Sequence, residues 1–599
     1  MEQFGNDSQY TESSDDGLEV EEYNESASNS RMNDSLQDSE SDASDCVVPP
    51  KRRNVARIVS GSEESPDDEE EDFEETEDAS NSEEWEDVTE SDDLPFSFTF
   101  KTSPRTVGPQ ISRDIIKPLD FFKLYFTDIL MDRIIKETNE YARRKISEKQ
   151  LTSNSIWRAW VDVTREEFMA FIGVILNMGA MPLANIAEYW STRRNSKIPF
   201  YSQTFTRDRF RQIFWMLHLR TDASSDTSLK TRTRKADDFL QYINAKFSEH
   251  FIPGKDVCVD ESIVKFKGKI AFITYNPKKP TKWGIRIYVL ADVKTGYVYS
   301  ILPYYGSLTT ESLEKPELPV SSRIPLTLIK KLLNNVPNAE GYHLYTDRFF
   351  TSIPLAEELL KLKIHLTGTI MPNRKRLPPP IKKPRFLTTS TVAYKKNNTL
   401  VLAWKSKRVV TFLSTSSAAS LQHTTTRRRG GDSINVLKPI VAVDYTKKMR
   451  AVDRADQYAA SYCFLRKSLK WWRKLFFWGM EMCVINSYIM YKTIRESNNE
   501  KPLNHLNFVK CLVDELVGTF RQGTPSEAQP STSFVDNRLD NKLHILRSGT
   551  KKDCAVCSDR KTPGKRRETR TYCNTCIRKP GLHIGDCFEK YHTLLNYKS

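Results

Sequence analysis

The stretch IRIYVLADVKTGYVYSILPYY, Ile285 to Tyr305, decides the class of fold. Two runs of β-branched and aromatic residues flank Asp-Val-Lys-Thr-Gly, whose turn chemistry predicts a β-hairpin. Upstream, KDVCVDESIVKFKGK (Lys255–Lys269) alternates in its first half and predicts a strand that closes at Asp260. Downstream, LIKKLLNNV (Leu328–Val336) reads as a helix and GYHLYTDRF (Gly341–Phe349) as a strand closing at Asp347. A helix follows from about Ser352, with Pro354 in its first turn and Glu357 and Glu358 after it, then a strand in HLTGTIM (His365–Met371). The order strand, hairpin, helix, strand, helix, strand is a mixed α/β layer with a core of its own.

The flanks differ. PLDFFKLYFTDILMDRIIKETNEYARRKI (Pro118–Ile146), TREEFMAFIGVILNMG (Thr164–Gly179) and FTRDRFRQIFWMLHLR (Phe205–Arg220) space apolar residues at three and four, so helix is expected to about Ile252. After the α/β run, RKRLPPPIKKP (Arg374–Pro384) is a loop and TLVLAWKSKRVVTFLST (Thr399–Thr415) is two strands. TTTRRRGGDS (Thr424–Ser433) is a basic loop, and together these form a small β insertion. Helix resumes at about Arg450 and runs through KSLKWWRKLFFWGMEMCVINSYIMYKTIRES, and a polar linker, RQGTPSEAQPSTS (Arg521–Ser533), precedes a cysteine-rich end.

The net charge of +12 over 599 residues conceals a steep split. Residues 1–93 hold 33 Asp and Glu against five Lys and Arg; taken from the whole chain's 78 acids and 90 bases, that leaves 45 acids and 85 bases beyond, a net of +40. Such a split predicts a basic body that meets a polyanion and an acidic tail, residues 1–94, too poor in apolar residues to fold. Within the tail KRRNVAR (Lys51–Arg57) is either a nuclear import signal or a local counter-charge. MEQFGNDSQY lacks the apolar run of a signal peptide, and FFWGMEMCVINSYIMY (Phe476–Tyr491) is short for a membrane span and carries Glu481, so no membrane association is expected.

Three acids fall at the ends or starts of expected elements: Asp260, Asp347 and Asp453, the last in AVDRADQ (Ala451–Gln457) with Asp456 one turn on. Clustered carboxylates raise each other's pKa unless cations neutralise them, and an oxygen-only set suits Mg²⁺ or Mn²⁺. Two such ions can activate an attacking oxygen and stabilise a leaving one in phosphodiester chemistry. The competing reading is a turn or cap role for each lone Asp, as for Asp292, and an exposed helix face for Asp453 and Asp456 beside Arg450 and Arg454. Lys279, Lys282 and Arg286, interleaved with Trp283, would hold phosphates beside such a centre, or form a solvated strand face.

Five of the ten cysteines lie between Cys554 and Cys587. Cys554, Cys557, Cys573, Cys576, His583, Cys587 and His592 contain two Cys-x-x-Cys hooks, a zinc signature, and predict two Zn²⁺ ions in a cross-braced module. Seven ligands fall one short of two closed sites, with Asp586 or water to complete the set. Eight Lys and Arg among the twenty residues 551–570 favour phosphate contact or import over a purely structural knot.

In order, VDESIVKFKGK, NPKKPTKWGIRIYVLAD, YTDRFFTSIPLAEELL and MRAVDRADQY, with ETNEYARRK before them and the cysteine-rich end after, resemble the piggyBac transposase family over roughly residues 100–592. The resemblance implies an RNase H-like α/β catalytic core inserted in a mostly α-helical DNA-binding and dimerisation domain, followed by the zinc-binding module. The expected map is 95–255 helical domain, 256–372 core, 373–440 β-rich insertion, 441–456 core with the third acid, 457–530 helical domain, 531–550 linker and 551–599 zinc module. It also implies a catalytic triad of Asp260, Asp347 and Asp453 with Asp456 as auxiliary acid, Mg²⁺ or Mn²⁺ dependence, and strand cleavage and transfer on double-stranded DNA at transposon ends and TTAA targets. A homodimer in the nucleus is implied as well. KWWRK adds Lys470, Arg473 and Lys474 as candidate DNA contacts, with Trp471 and Trp472 as core in the alternative. One departure stands out: many members carry Gly-Gly where this chain has Arg450 and Ala451. The alternative function is a domesticated, non-catalytic DNA-binding protein; a chromatin reader or ubiquitin ligase built on the zinc module alone leaves the ordered acids unexplained. If the acidic tail competes with DNA for the basic body, deleting residues 1–93 is expected to lower the Kd for duplex DNA in a titration, and an unchanged Kd rejects that role.

Overall fold

The computed structural model describes residues 85–88, 96–520, 538 and 543–598, apart from short stretches at 103, 113, 149, 154, 222–227, 278–280, 387–389, 428–432, 465–467, 469, 561, 577 and 595–596. The import-like Lys51–Arg57 cluster and Lys279 lie outside the described residues. The chain divides into two units, Met1–Gln522 and Gly523–Ser599.

The first unit is built on a ten-stranded mixed sheet. Its strands are β1 (Glu86–Asp87), β2 (Asp256–Lys265), β3 (Thr274–Tyr275), β4 (Trp283–Asp292), β5 (Val298–Pro303), β6 (His343–Thr346), β7 (His365–Thr369), β8 (Thr391–Lys396), β9 (Thr399–Lys405) and β10 (Val409–Ser414). The order is β1-β8-β9-β10-β7-β6-β2-β4-β3, with β5 also paired to β4. The expected hairpin is β4–β5. Asp292 caps its turn, accepting from the Thr295 amide (2.8 Å) and hydroxyl (2.7 Å), while Gly296 supplies the φ of +78°. Every residue of β4 after Trp283 is buried, as befits a strand covered on both faces.

β2 pairs antiparallel with β4 and parallel with β6, and β6 pairs parallel with β7. The β6–β7 crossover runs through the helix Ile353–Lys361, capped by the Ser352 hydroxyl. Two expectations change here. Asp260 lies in the middle of β2, because the strand, paired with β4 throughout, runs on through Asp260 and Glu261 to Lys265. The β insertion is not a separate body: β8–β10 extend the main sheet through the β10–β7 pairing, and among the described residues the ribbon Leu421–Arg427 with Ser433–Pro439 stands apart from it, taking in both ends of the expected basic loop, whose residues 428–432 lie outside the described residues. The acidic segment contributes an edge strand, with Glu86 opposite Lys395 and Asp87 opposite Tyr394.

The principal helices of this unit are α1 (Pro118–Lys123), α2 (Asp128–Ser147), α3 (Arg165–Ala180), α4 (Arg207–Met216), α5 (Leu229–His250), α6 (Val320–Asn335), α7 (Ile353–Lys361), α8 (Ile440–Lys448), α9 (Ala451–Tyr462), α10 (Trp471–Ser497) and α11 (His505–Val517). Helices from both flanks of the sheet pack together. Gly173 of α3 leaves room for Val517 of α11, and Ser487 of α10 bonds the Phe121 carbonyl. α10 is buried on every side from Trp471 to Tyr491, so it is the axis of this packing. Its Asn486 bonds both the amide (3.0 Å) and the carbonyl (2.8 Å) of Val298, tying it to β5. Among the described residues no helix is long and apolar enough to cross a membrane.

Gly368 of β7 sits opposite Thr346 and Leu413, at the seam that joins the insertion strands to the sheet. A Cβ there would overlap the Thr351 hydroxyl and stand 2.5 Å from the Thr346 carbonyl. Gly368→Ala is expected to lower the unfolding free energy by about 1–3 kcal/mol, read by chemical denaturation.

Candidate active site and metal centres

In the parallel β2–β6 register Val259 faces Thr346, so the next residues, Asp260 and Asp347, are neighbours. Strand alternation puts Cys258, Asp260 and Ser262 on one face of β2. α9 lies along that face: the backbone of Ala451 and Val452 meets the Cys258 thiol, and the Ser262 hydroxyl donates to Asp456. Asp453 lies between these two contacts, in the first turn of α9. The structure thus sets Asp260 beside Asp347 and ties Asp456 to the same face of β2, with Asp453 three residues earlier on α9.

Each acid has its own setting. Asp260 accepts from the Glu261 amide (2.8 Å). Asp347 forms an Asx turn, accepting from the Phe349 amide (2.9 Å), and its carbonyl takes the Thr351 hydroxyl (2.7 Å). Asp260 and Asp347 are half-buried and Asp453 is exposed. Tyr445 of α8 packs over the same corner; burial chiefly, with Asp347 and Asp260 adding, pushes its phenol up. An oxygen-only donor set of this kind fits a hard divalent cation. The acids are not drawn within 4.8 Å of one another, as the Cys/His sets below are.

The Arg450–Ala451 departure fits the backbone. Arg450 sits at φ −83°, a conformation open to any residue, and the Ala451 methyl is buried.

The candidate phosphate contacts divide. Lys282 is exposed beside Trp283, which is 43% exposed and packs at a tilt against Tyr275, ring centroids 4.5 Å apart. Arg286 is buried, its guanidinium 5.9 Å from the Phe349 ring, because it points into the sheet's covered face. KWWRK is corrected in most of its parts. Trp471 and Trp472 are core, and Arg473 is 2% exposed with its guanidinium among Phe214, Trp215 and Trp472, donating to the Trp215 carbonyl. Lys474 is buried too, and that burial draws its pKa down; Lys470 is half-buried. Segment charge pointed to solvent, whereas the helix is surrounded by protein.

The second unit carries two donor sets whose ligand atoms lie within 4.8 Å of one another: Cys554, Cys557, His583 and Cys587, and His544, Cys573, Cys576 and His592. The sets alternate along the chain, so the module is cross-braced. Asp586 belongs to neither, being an exposed first-turn residue of α12 (Asp586–Thr593). The eighth donor is His544, which the sequence reading left in the linker; its only signal was a histidine ten residues before the first hook.

His544 Nδ1 lies 3.6 Å from Cys573 Sγ and 3.5 Å from Cys576 Sγ, and His592 Nε2 lies 3.4 Å from Cys576 Sγ. In the other set His583 Nδ1 is 3.4 Å from Cys557 Sγ. Thiolate and imidazole ligands at tetrahedral angles on one Zn²⁺ stand roughly 3.5 Å apart, so both sets fit that ion. Two of the remaining ring nitrogens are oriented as ligation requires: His592 Nδ1 donates to the Phe588 carbonyl (2.7 Å) and His583 Nε2 to the Glu568 carbonyl (3.3 Å). Desolvation, with Cys557 and Cys554 adding, pushes the Cys587 thiol up to about 12. Against desolvation, backbone amides of Cys557, His583 and Val556 bring Cys554 down to about 7.

Comparison with known proteins agrees with this architecture. A family model described as Transposase IS4 matches residues 117–488. PiggyBac transposable element-derived protein 3 of Homo sapiens is 25% identical over 517 residues, covering 82% of this chain and 81% of that protein. PiggyBac transposable element-derived protein 2 of Homo sapiens is 23% identical over 452 residues, 74% of this chain and 72% of that protein. Among solved structures, the cryo-EM structure of the piggyBac transposase synaptic complex with hairpin DNA superposes with a TM-score of 0.58 at 25% identity, over 69% of this chain and 83% of that one. With the matched region spanning helices and sheet alike, the chain belongs to the piggyBac-type transposase family.

Proposed function

We propose that this protein is a metal-dependent DNA transposase that cuts and transfers strands at TTAA sites, working as a homodimer in the nucleus. The observation that carries the reading is the parallel β2–β6 register, which sets Asp260 beside Asp347 while α9 lies along the same face with Asp453. The sheet order β5-β4-β2-β6-β7, three antiparallel strands followed by two parallel ones, supports an RNase H-like core. Asp260, Asp347 and Asp453 would hold Mg²⁺ or Mn²⁺, which supplies charge stabilisation at the attacking and leaving oxygens of a phosphodiester. Asp456, bonded by Ser262, keeps α9 against β2. Lys282 beside Trp283 is the exposed candidate for holding DNA phosphate near the sheet.

The test is excision of a reporter flanked by the DNA that borders this gene in its own genome. Seamless excision restoring TTAA by wild type, and none by Asp260→Ala, Asp347→Ala or Asp453→Ala, is the expected result. Asp456→Ala is expected to lose about 10- to 100-fold, as a supporting residue. DNA binding without cleavage by wild type would overturn the enzymatic reading in favour of a non-catalytic, transposase-derived DNA-binding protein.

In the second unit the two donor sets are read as Zn²⁺ sites. Elemental analysis of the full chain is expected to give two zinc ions per chain, falling to one in His544→Ala. Because thiols must lose their protons to ligate zinc, zinc binding is expected to release protons and to weaken as pH falls, measurable by calorimetry in buffers of different ionisation enthalpy.

A further inference from the structure

A hydrogen-bonded chain crosses the same sheet face, one strand-repeat away from the acids. His343 and Tyr345 alternate with Asp347 on β6, and Asp256 and Cys258 alternate with Asp260 on β2, so the side chains form a ladder leading to the acids. At its centre is the Lys448 ammonium, the last residue of α8. It lies 2.9 Å from the Tyr345 hydroxyl, 3.2 Å from Asp256 Oδ2 and 3.1 Å from Asp444 Oδ1.

The direction of every bond follows from the inventory of donors. Tyr345 donates its one proton to Asp444 Oδ2 (2.8 Å) and accepts from Lys448. His343 Nδ1, 3.1 Å from that phenol oxygen, is then the protonated nitrogen, and Nε2 accepts from the Thr367 hydroxyl (2.8 Å). Thr367 in turn accepts from Ser414 of β10 (2.7 Å). The chain therefore runs from β10 through β7 and β6 to α8, and Lys448 extends it to β2.

We propose that Lys448, through Tyr345 and Asp256, is a positioning residue for the third acid, an inference that rests on the metal-binding reading above. Lys448 precedes Asp453 by five residues, and only Met449 and Arg450 separate α8 from α9. Fastening the end of α8 to β2 and β6 sets where α9 begins. Asp453, one turn into α9, is the exposed acid of the triad and has no strand of its own to hold it. Asp260 and Asp347 are located by the sheet; the third acid is located by this bolt at the start of α9, together with the Ser262–Asp456 bond one turn on.

The test measures Mn²⁺ binding to the zinc-loaded full chain by the electron paramagnetic resonance signal of free Mn²⁺, alongside duplex-DNA binding and thermal melting. Wild type, Asp347→Ala, Asp453→Ala, Lys448→Met, Lys448→Arg and the near-isosteric Tyr345→Phe are compared. The expected result is a 10-fold or larger loss of Mn²⁺ affinity in Lys448→Met and a smaller loss in Tyr345→Phe, with partial recovery in Lys448→Arg and unchanged DNA binding. Excess Mn²⁺ is expected to restore strand cleavage to Tyr345→Phe but not to Asp453→Ala. Wild-type Mn²⁺ affinity in both Lys448→Met and Tyr345→Phe, with Asp453→Ala impaired, overturns the positioning role and leaves the metal reading intact. Wild-type affinity in Asp347→Ala and Asp453→Ala overturns the metal reading, and the positioning role with it.

Discussion

The parallel pairing of β2 with β6 is the constraint on which this architecture depends. Side chains alternate along a strand, so a slip of one residue would turn Asp260 away from Asp347 and carry Cys258 off the face that receives α9. The register is held at its far end by a backbone bond, with the His343 amide donating to the Lys255 carbonyl (2.8 Å). All four residues of β6 are buried, so the strand has no solvated alternative. Around this pair the remaining strands extend the sheet in both directions, and the helices supply its cover.

The helical flanks are far apart in the chain but meet around α10. A helix apolar on every side must be enclosed, and α1, α5 and α11 enclose it. The close approach of α5 is permitted by Gly479, where a Cβ would come within 2.7 Å of the Phe239 ring. Enclosure explains the chemistry of the polar residues on this helix. Glu481 is pushed up to about 8 by desolvation, so it is neutral at pH 7, and Arg473 is held among aromatic rings instead of facing solvent.

Much of this was legible in the sequence, and the exceptions have physical causes. Turn chemistry at Asp292–Gly296 and the Ser352 cap located the hairpin and the β6–α7–β7 crossover, because both depend on local residues. The length of β2 was not legible, since Asp260 and Glu261 break an apolar alternation that the strand nonetheless continues. Whether the strands of residues 391–414 joined the main sheet depended on the non-local pairing of Leu413 with Gly368, which no local pattern encodes. In KWWRK, charge suggested a surface and only tertiary enclosure overrode it. His544 was hidden for a different reason: a ligand that is not part of a hook has no spacing to betray it, and only the fold brings it to Cys573 and Cys576. The approach of the three acids was visible only by resemblance, as their separations of 87 and 106 residues carry no geometric information.

The two-residue strand at Glu86–Asp87 bears on edge-to-edge pairing of the sheet. A sheet that ended at β8 would present a row of open amides and carbonyls, on which another copy could stack edge to edge. The added strand moves that boundary outward to two carboxylates flanked by Trp85 and Val88, both half-buried against the body. A second copy approaching in the same way would bring its own Glu86 and Asp87 toward these, and the like charges repel. The acidic segment thus gives a long, open sheet an edge that favours solubility over polymerisation.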